Sequence, residues 1–290
     1  MNNIKRHFFL GDNWLYFKVY TGFKTADSLL KEVINPLAQH LKQHQIISHW
    51  FFIRYGDPDF HLRVRFHLPD VQKIGTAILL INKSLQSYFQ NGLVWKIQYD
   101  VYNREMERYG ENSMDLSEQI FCADSEMIVE LLGSETNYLL GLRAIDELLT
   151  VFDYDIERKH TLLNTLQDSF AKEFQIEGKL RRQFSDNFRE NRKEITRIMT
   201  AKIEENSWLA PILQKSEKIK ENAGKILEYS KNDTLQIPLD DLLSSYIHMM
   251  LNRFFRTQSR KQELVLYDYL YRYYDSEINK LKYKDKNKQQ

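Results

Sequence analysis

The chain has 290 residues, 42% hydrophobic and 13% aromatic, enough to fill the core of one large domain or two smaller ones. Its 41 Lys plus Arg balance 40 Asp plus Glu for a formal charge of +1, which excludes a global basic field for nucleic acid and makes any anion site local. The single cysteine, Cys122, excludes an intramolecular disulfide and a cysteine-rich zinc site and reads as a small buried side chain. The N-terminal MNNIKRHFFLGDNW is too short in apolar residues for a signal peptide, and no run approaches the ~18 of a membrane span. The expectation is a soluble cytoplasmic protein with no membrane insertion.

In chain order, Trp14–Tyr20 (WLYFKVY) is aromatic and β-branched, a strand. Leu29, Leu30, Val33, Ile34, Leu37 and Leu41 recur at helical steps and predict a helix over 25–44, kinked at Pro36. His40 and His44 stand four apart on it, a metal-competent spacing without a further ligand beside them, so they read as a solvated pair. Two β runs follow within Trp50–Leu68, joined by Gly56-Asp57-Pro58-Asp59, a hairpin. A helix over 69–89, closed by Asn91-Gly92, and a strand alternating through Trp95, Ile97, Tyr99 and Val101 complete the order strand, helix, strand, strand, helix, strand. That is an α+β pattern, a split βαβ or ferredoxin-like antiparallel sheet unit over residues 1–112.

From Ser113 onward helical periodicity dominates, over 116–132, 135–152, 155–174, 178–205, 211–229, 239–255 and 262–274. The sequence therefore predicts a mostly helical part, 113–278, packed on the sheet unit, and a frayed Lys- and Gln-rich tail, 279–290. Charged residues dense in both signs over 172–202 read as a solvated helix face.

The hairpin's second run puts His61, Arg63 and Arg65 on one face and Leu62, Val64 and Phe66 on the other. Two fixed cations and a titratable ring fall within about 14 Å, a row suited to an anion or, more plainly, to a solvated face paired with nearby acids. Glu105, Glu107 and Arg108 leave the last strand and can reach the same edge, where a glutamate can orient an arginine or form a structural salt bridge. His248 shares a helix face with Leu251 and Asn252, a position held more often by a core or surface residue than by a catalyst. A Gly-rich phosphate loop, HExxH and a Cys/His ligand set are all missing, so no cofactor and no metal are expected.

FFIRYGDPDFHLRVRF, REMERYG, FCADS and HMMLNR, in that order, resemble the C-terminal elimination domain of class I lanthipeptide (lantibiotic) dehydratases, the thiopeptide-type bacteriocin biosynthesis family. The resemblance spans most of the chain. The family pattern carries a second glycine after ERYG, where this sequence has Glu111. The full dehydratases have a large N-terminal glutamylation domain that is absent here, so the resemblance implies a stand-alone elimination half. It would be a lyase that converts glutamylated Ser or Thr of a precursor peptide to dehydroalanine or dehydrobutyrine. The resemblance places Arg63, Arg65, Glu105, Arg108 and His248 at the family's functional positions. Arg65 and Arg108 would stabilise glutamate or enolate charge, Glu105 would orient Arg108, and His248 would do acid/base work. Arg54, His61, Asn252 and Arg253 are the expected substrate contacts.

Implied partners are the precursor peptide, a separate glutamylation subunit and a cyclase, with no direct nucleic acid. The oligomeric state stays open, a homodimer being one option. Two alternatives remain: a thiopeptide pyridine synthase, which joins two dehydroalanines and expels the leader peptide, and a non-catalytic peptide-binding scaffold.

Overall fold

The computed structural model describes residues 4–132 and 139–288, with side chains described to residue 284. The chain forms two compact units, Met1–Glu135 with Glu217–Thr257, and Thr136–Ser216 with Gln258–Gln290. Where the sequence places a single boundary near residue 112, this division groups several later helical residues with the sheet.

The first unit contains a four-stranded sheet of β2 (Trp14–Thr21), β3 (His49–Tyr55), β4 (His61–His67) and β5 (Val94–Tyr99). Its order is β3-β4-β2-β5, every neighbouring pair antiparallel. A second pair, β1 (His7–Phe8) and β6 (Tyr102–Asn103), lies outside the sequence expectation, because two-residue strands carry no readable alternation.

The hairpin register sorts the side chains. Leu62, Val64 and Phe66 lie opposite Val19, Phe17 and Leu15 on one side and Arg54, Phe52 and Trp50 on the other. All these apolar side chains are buried. α1 (Phe23–Leu29), α2 (Asn35–Gln43) and α3 (Ile74–Gln90) pack against this sheet, contributing Ala26, Leu29, Leu37, Leu41, Ala77, Ile81 and Leu85 to the core. Leu30–Ile34 joins α1 to α2 as a π turn just before Pro36, which has no N–H to continue an α ladder. α3 ends where Gly92 takes φ +68°, as the Asn91-Gly92 signal predicts.

The other face, with Phe51 and Trp14, meets Tyr102 of β6 and Phe121 of α5 (Met114–Leu131), at ring separations of 5.4 Å for Phe51–Phe121 and Trp14–Tyr102. β3 is an edge strand whose outward groups are taken by side chains. Phe52 N–H donates to Ser125 Oγ of α5 at 3.2 Å, and Phe52 O accepts from Arg253 Nε of α10 (Leu239–Phe254) at 2.8 Å. Arg54 N–H and C=O both pair with the Asn252 amide, at 3.0 and 3.1 Å. An exposed edge invites another strand, and these contacts close it.

The second unit holds α6 (Leu140–Val151), α7 (Ile156–Glu173), α8 (Gly178–Met199) and α11 (Ser259–Lys288). Leu142, Ile145, Leu148, Leu163, Ile195, Ile198 and Leu270 form its apolar interior. Asp146 accepts from Lys159 and from the Tyr274 hydroxyl, both at 2.7 Å. The helix the sequence ends at Tyr274 runs on to Lys288, since Lys, Asn and Asp lower its burial without breaking it. The helix predicted over 178–205 stops at Met199, before a short 3₁₀ turn at Ile203–Glu205. Residues 135–138 of the predicted 135–152 helix lie outside the described residues. No described helix is long and apolar enough to cross a membrane.

Candidate active site

β4 lays out the site in cross-strand rows. Arg65 sits between Tyr16 of β2 and Phe51 of β3, Arg63 between Lys18 and Ile53, and His61 between Tyr20 and Tyr55. The Arg65 guanidinium lies 4.5 Å from the Tyr16 ring centroid, 4.8 Å from that of Tyr102 and 5.1 Å from that of Phe51. Its side chain is buried, and its Nε and Nη1 make no hydrogen bond. Burial pulls its pKa below the usual arginine value, with Glu105 among the groups that oppose the shift. The charge persists all the same, since arginine does not titrate in proteins. Ring faces stabilise a cation but supply no acceptor, so this cage holds a positive charge whose hydrogen-bonding capacity is unspent.

Arg63 is half-buried and stacks on Tyr55 at 3.4 Å, with Nε donating to His61 Nε2 at 3.2 Å. No described carboxylate forms an ion pair with Arg63 or Arg65. Glu105 precedes the short helix α4 (Met106–Tyr109) and lies 3.6 Å from Arg108 Nη1. Arg108 Nε donates to Ser245 Oγ of α10 at 3.1 Å. The turn after α4 forms on Gly110 alone, at φ +74°, and Glu111 N–H donates to Gln236 Oε1. The second glycine of the family pattern is therefore not needed for this turn.

His248 is half-buried on α10, three residues beyond Ser245 and four before Asn252. At that spacing all three share one helix face, which meets Arg108 at one end and β3 at the other. Arg63 and Arg65 thus share one sheet face, Glu105 acts on the Arg65 charge, and Arg108 lies beside Glu105.

Arg54 points elsewhere. It shares the Leu62 face, where its Nη2 donates to Asp27 of α1 at 2.6 Å and its Nε to the Arg253 carbonyl at 2.9 Å. Asn252 and the fully buried Arg253 serve the β3 edge, Arg253 also donating to Met249 O at 2.7 Å. These three do structural work, and His61 reaches Arg63 instead of open space. The cage residues Tyr16, Phe51 and Tyr102, and Ser245, escaped the sequence reading. Strand register alone would have exposed the first two.

Tyr102 is itself anchored, its hydroxyl donating to Glu118 Oε1 at 2.8 Å. Arg104 clamps the same carboxylate with Nε at 2.8 Å and Nη2 at 2.5 Å. Glu118 is buried, and burial raises its pKa against the pull of Arg104. Among the described residues no cluster of His, Cys, Asp or Glu could hold a metal ion.

The α+β scaffold thus places two arginines, Arg63 and Arg65, on one sheet face, the second among three rings with its Nε and Nη1 unbonded. The chain belongs to the family described as lantibiotic biosynthesis dehydratase C-term, whose pattern matches residues 14–274. It is 29% identical over 173 residues to the subtilin biosynthesis protein SpaB of Bacillus subtilis, a match covering 56% of this chain and 17% of SpaB. In fold it is similar to the tRNA-dependent lantibiotic dehydratase MibB of Microbispora sp. 107891, with a TM-score of 0.72, 19% identity, and coverage of 93% of this chain and 28% of MibB. It is also similar to TbtD, a pyridine synthase from thiomuracin biosynthesis, with a TM-score of 0.66, 13% identity, and coverage of 89% and 97%. The chain therefore spans less than a third of the length of SpaB or MibB.

Proposed function

We propose that this chain catalyses the elimination step of lantibiotic-type peptide dehydration. A Ser or Thr of a precursor peptide arrives as its glutamyl ester, a base removes the Cα proton, and the Cβ–O bond breaks. Its electron pair leaves with glutamate and a Cα=Cβ bond remains. Negative charge grows on the enolate and then on the departing carboxylate, so the groups that matter are cations fixed before it appears. The observation that carries this reading is the caged Arg65, a desolvated guanidinium with two N–H-bearing nitrogens that lack an acceptor. Arg108, oriented by Glu105 and Ser245, supplies a second cation, Arg63 a third, and His248 moves the proton. The same reading takes the β3-β4-β2-β5 sheet as ferredoxin-like and expects glutamylation and ring closure from other proteins.

The test supplies a peptide already glutamylated on Ser or Thr, without ATP or tRNA, and follows it by mass spectrometry. Wild type is expected to release glutamate and leave the dehydrated residue. Arg65→Ala and Arg108→Ala are each expected to lose about 10²-fold, the cost of one preorganised donor, so that the ester accumulates. His248→Ala should slow the reaction by roughly 10²–10⁴. A wild type that leaves the ester intact but converts a peptide holding two dehydroalanines to a pyridine would overturn elimination in favour of ring synthesis. A wild type that binds either peptide unchanged would leave a scaffold.

A further inference from the structure

Arg63 is oriented by a histidine, not a carboxylate. His61 is 1% exposed, and its Nδ1 lies 2.8 Å from the Asp59 carbonyl oxygen. Only an N–H can satisfy that oxygen, so the ring proton sits on Nδ1 and Nε2 keeps its lone pair. Nε2 then accepts from Arg63 Nε. The imidazole packs against Tyr20 at 4.6 Å and Tyr55 at 5.5 Å, and Tyr55 also supports the guanidinium. One edge and one face of Arg63 are thereby fixed, and its terminal N–H groups are not consumed in doing so. A carboxylate in place of His61 would orient Arg63 equally well but cancel its charge. A neutral acceptor orients it and leaves the charge whole.

We propose that His61 is a positioning residue. As a neutral Nδ1–H imidazole it aims the terminal N–H groups of Arg63 at the carboxylate of the glutamyl substrate, and its protonation releases that alignment. The proposal rests on the elimination reading of the same site. A second proton on His61 would remove the acceptor and set two cations head to head. The groups facing His61 mostly resist that proton. Arg63 on its own strand and Lys18 of β2 repel it, while Asp57 of the turn attracts it. Tyr20 and Tyr55 flank the ring, with Lys96 of β5 stacked on Tyr20. Burial is the largest influence and, with these cations, holds the His61 pKa below the ordinary histidine value despite the Asp59 hydrogen bond.

Two measurements on the full chain decide it. Nitrogen-15 NMR of the histidine side chains at pH 6.5 should show His61 as the neutral Nδ1–H tautomer, and Arg63→Ala should shift its Nε2 resonance. An Nε2–H tautomer, or no shift, sinks the pairing. With the glutamylated peptide, His61→Phe keeps the ring contacts but removes the acceptor, and should lower kcat/KM by roughly 10-fold or more, the scale of a misaimed group. His61→Gln can accept through its carbonyl and should stay within about threefold of wild type above pH 7. As pH falls below 6.5 the Gln-to-wild-type ratio should rise, because only wild type loses its aim; dividing the two profiles cancels every pH effect that the two proteins share. A folded His61→Phe with undiminished kcat/KM, or a ratio flat with pH, overturns the proposal. If wild type releases no glutamate, elimination fails, while the tautomer and the Nε2 shift still decide the His61–Arg63 pairing.

Discussion

Arg65 and Arg104 are both buried arginines of the same unit, yet their surroundings differ in sign. Arg104 lies in a carboxylate clamp with Glu118 and also reaches Asp115 at 2.6 Å, while Arg65 has three rings and no acid. Removing Arg104 strands a buried carboxylate, so Arg104→Met should cost about 3–5 kcal/mol in a urea melt. Removing Arg65 strands no partner, so Arg65→Met, of similar reach and apolar, should be neutral or stabilising by about 1–2 kcal/mol while activity is lost. A large destabilisation by Arg65→Met would mean that the arginine serves the fold and that the site lies elsewhere. The arginine row was visible in the sequence because alternation fixes which residues share a face. Its aromatic cage was not, because Tyr16, Phe51 and Tyr102 come from three other strands whose register no local pattern sets.

The sheet elements were legible for a definite reason. The aromatic and β-branched run of 14–20, the period-2 alternation of 61–66 and 95–101 and the three- and four-residue steps of 29–41 and 71–85 are each long enough to identify an element. β1, β6 and α4 are too short for that, and the π turn before Pro36 answers a missing N–H that a propensity reading sees only as a kink. HMMLNR and FCADS stood out as motifs, but much of their content turns out to close the β3 edge. At this scale Asn252→Ala should cost about 2–3 kcal/mol, the value of two hydrogen bonds to backbone groups left buried behind it. Asn252→Asp keeps the acceptor for Arg54 N–H but cannot donate to Arg54 O, and should fall between Ala and wild type in urea midpoint. Equal midpoints for all three would show that water serves this edge as well as α10 does.

At the scale of the molecule, local patterns named helices but could not assign them to units, because that depends on contacts distant in sequence: Asn222, in the helix Leu209–Lys231, donates to Gln119 of α5 across 103 positions. The same long-range packing buries imidazoles and so couples the fold to pH. Burial, reinforced by His67, Lys42 and Arg104, takes His49 down to about 3, and burial lowers His61 and His67 as well. In the unfolded chain these rings titrate near 6.5, so between about pH 6.5 and 3 the unfolded state binds more protons and stability must fall as the solution is acidified. Glu118 and Asp268 act oppositely, since burial raises both and the fold then holds their protons more tightly than the unfolded chain. Their window opens only below their raised values, where they offset part of the loss that the histidines cause. Thermal melts should therefore show a plateau in Tm above pH 7 and a decline from pH 6.5 to 4.5. His49→Gln, which keeps a polar group of similar size for Ser48 to bond at 2.8 Å but has no proton to refuse, should flatten that decline. A His49→Gln profile parallel to wild type would place the acid sensitivity in the carboxylates instead.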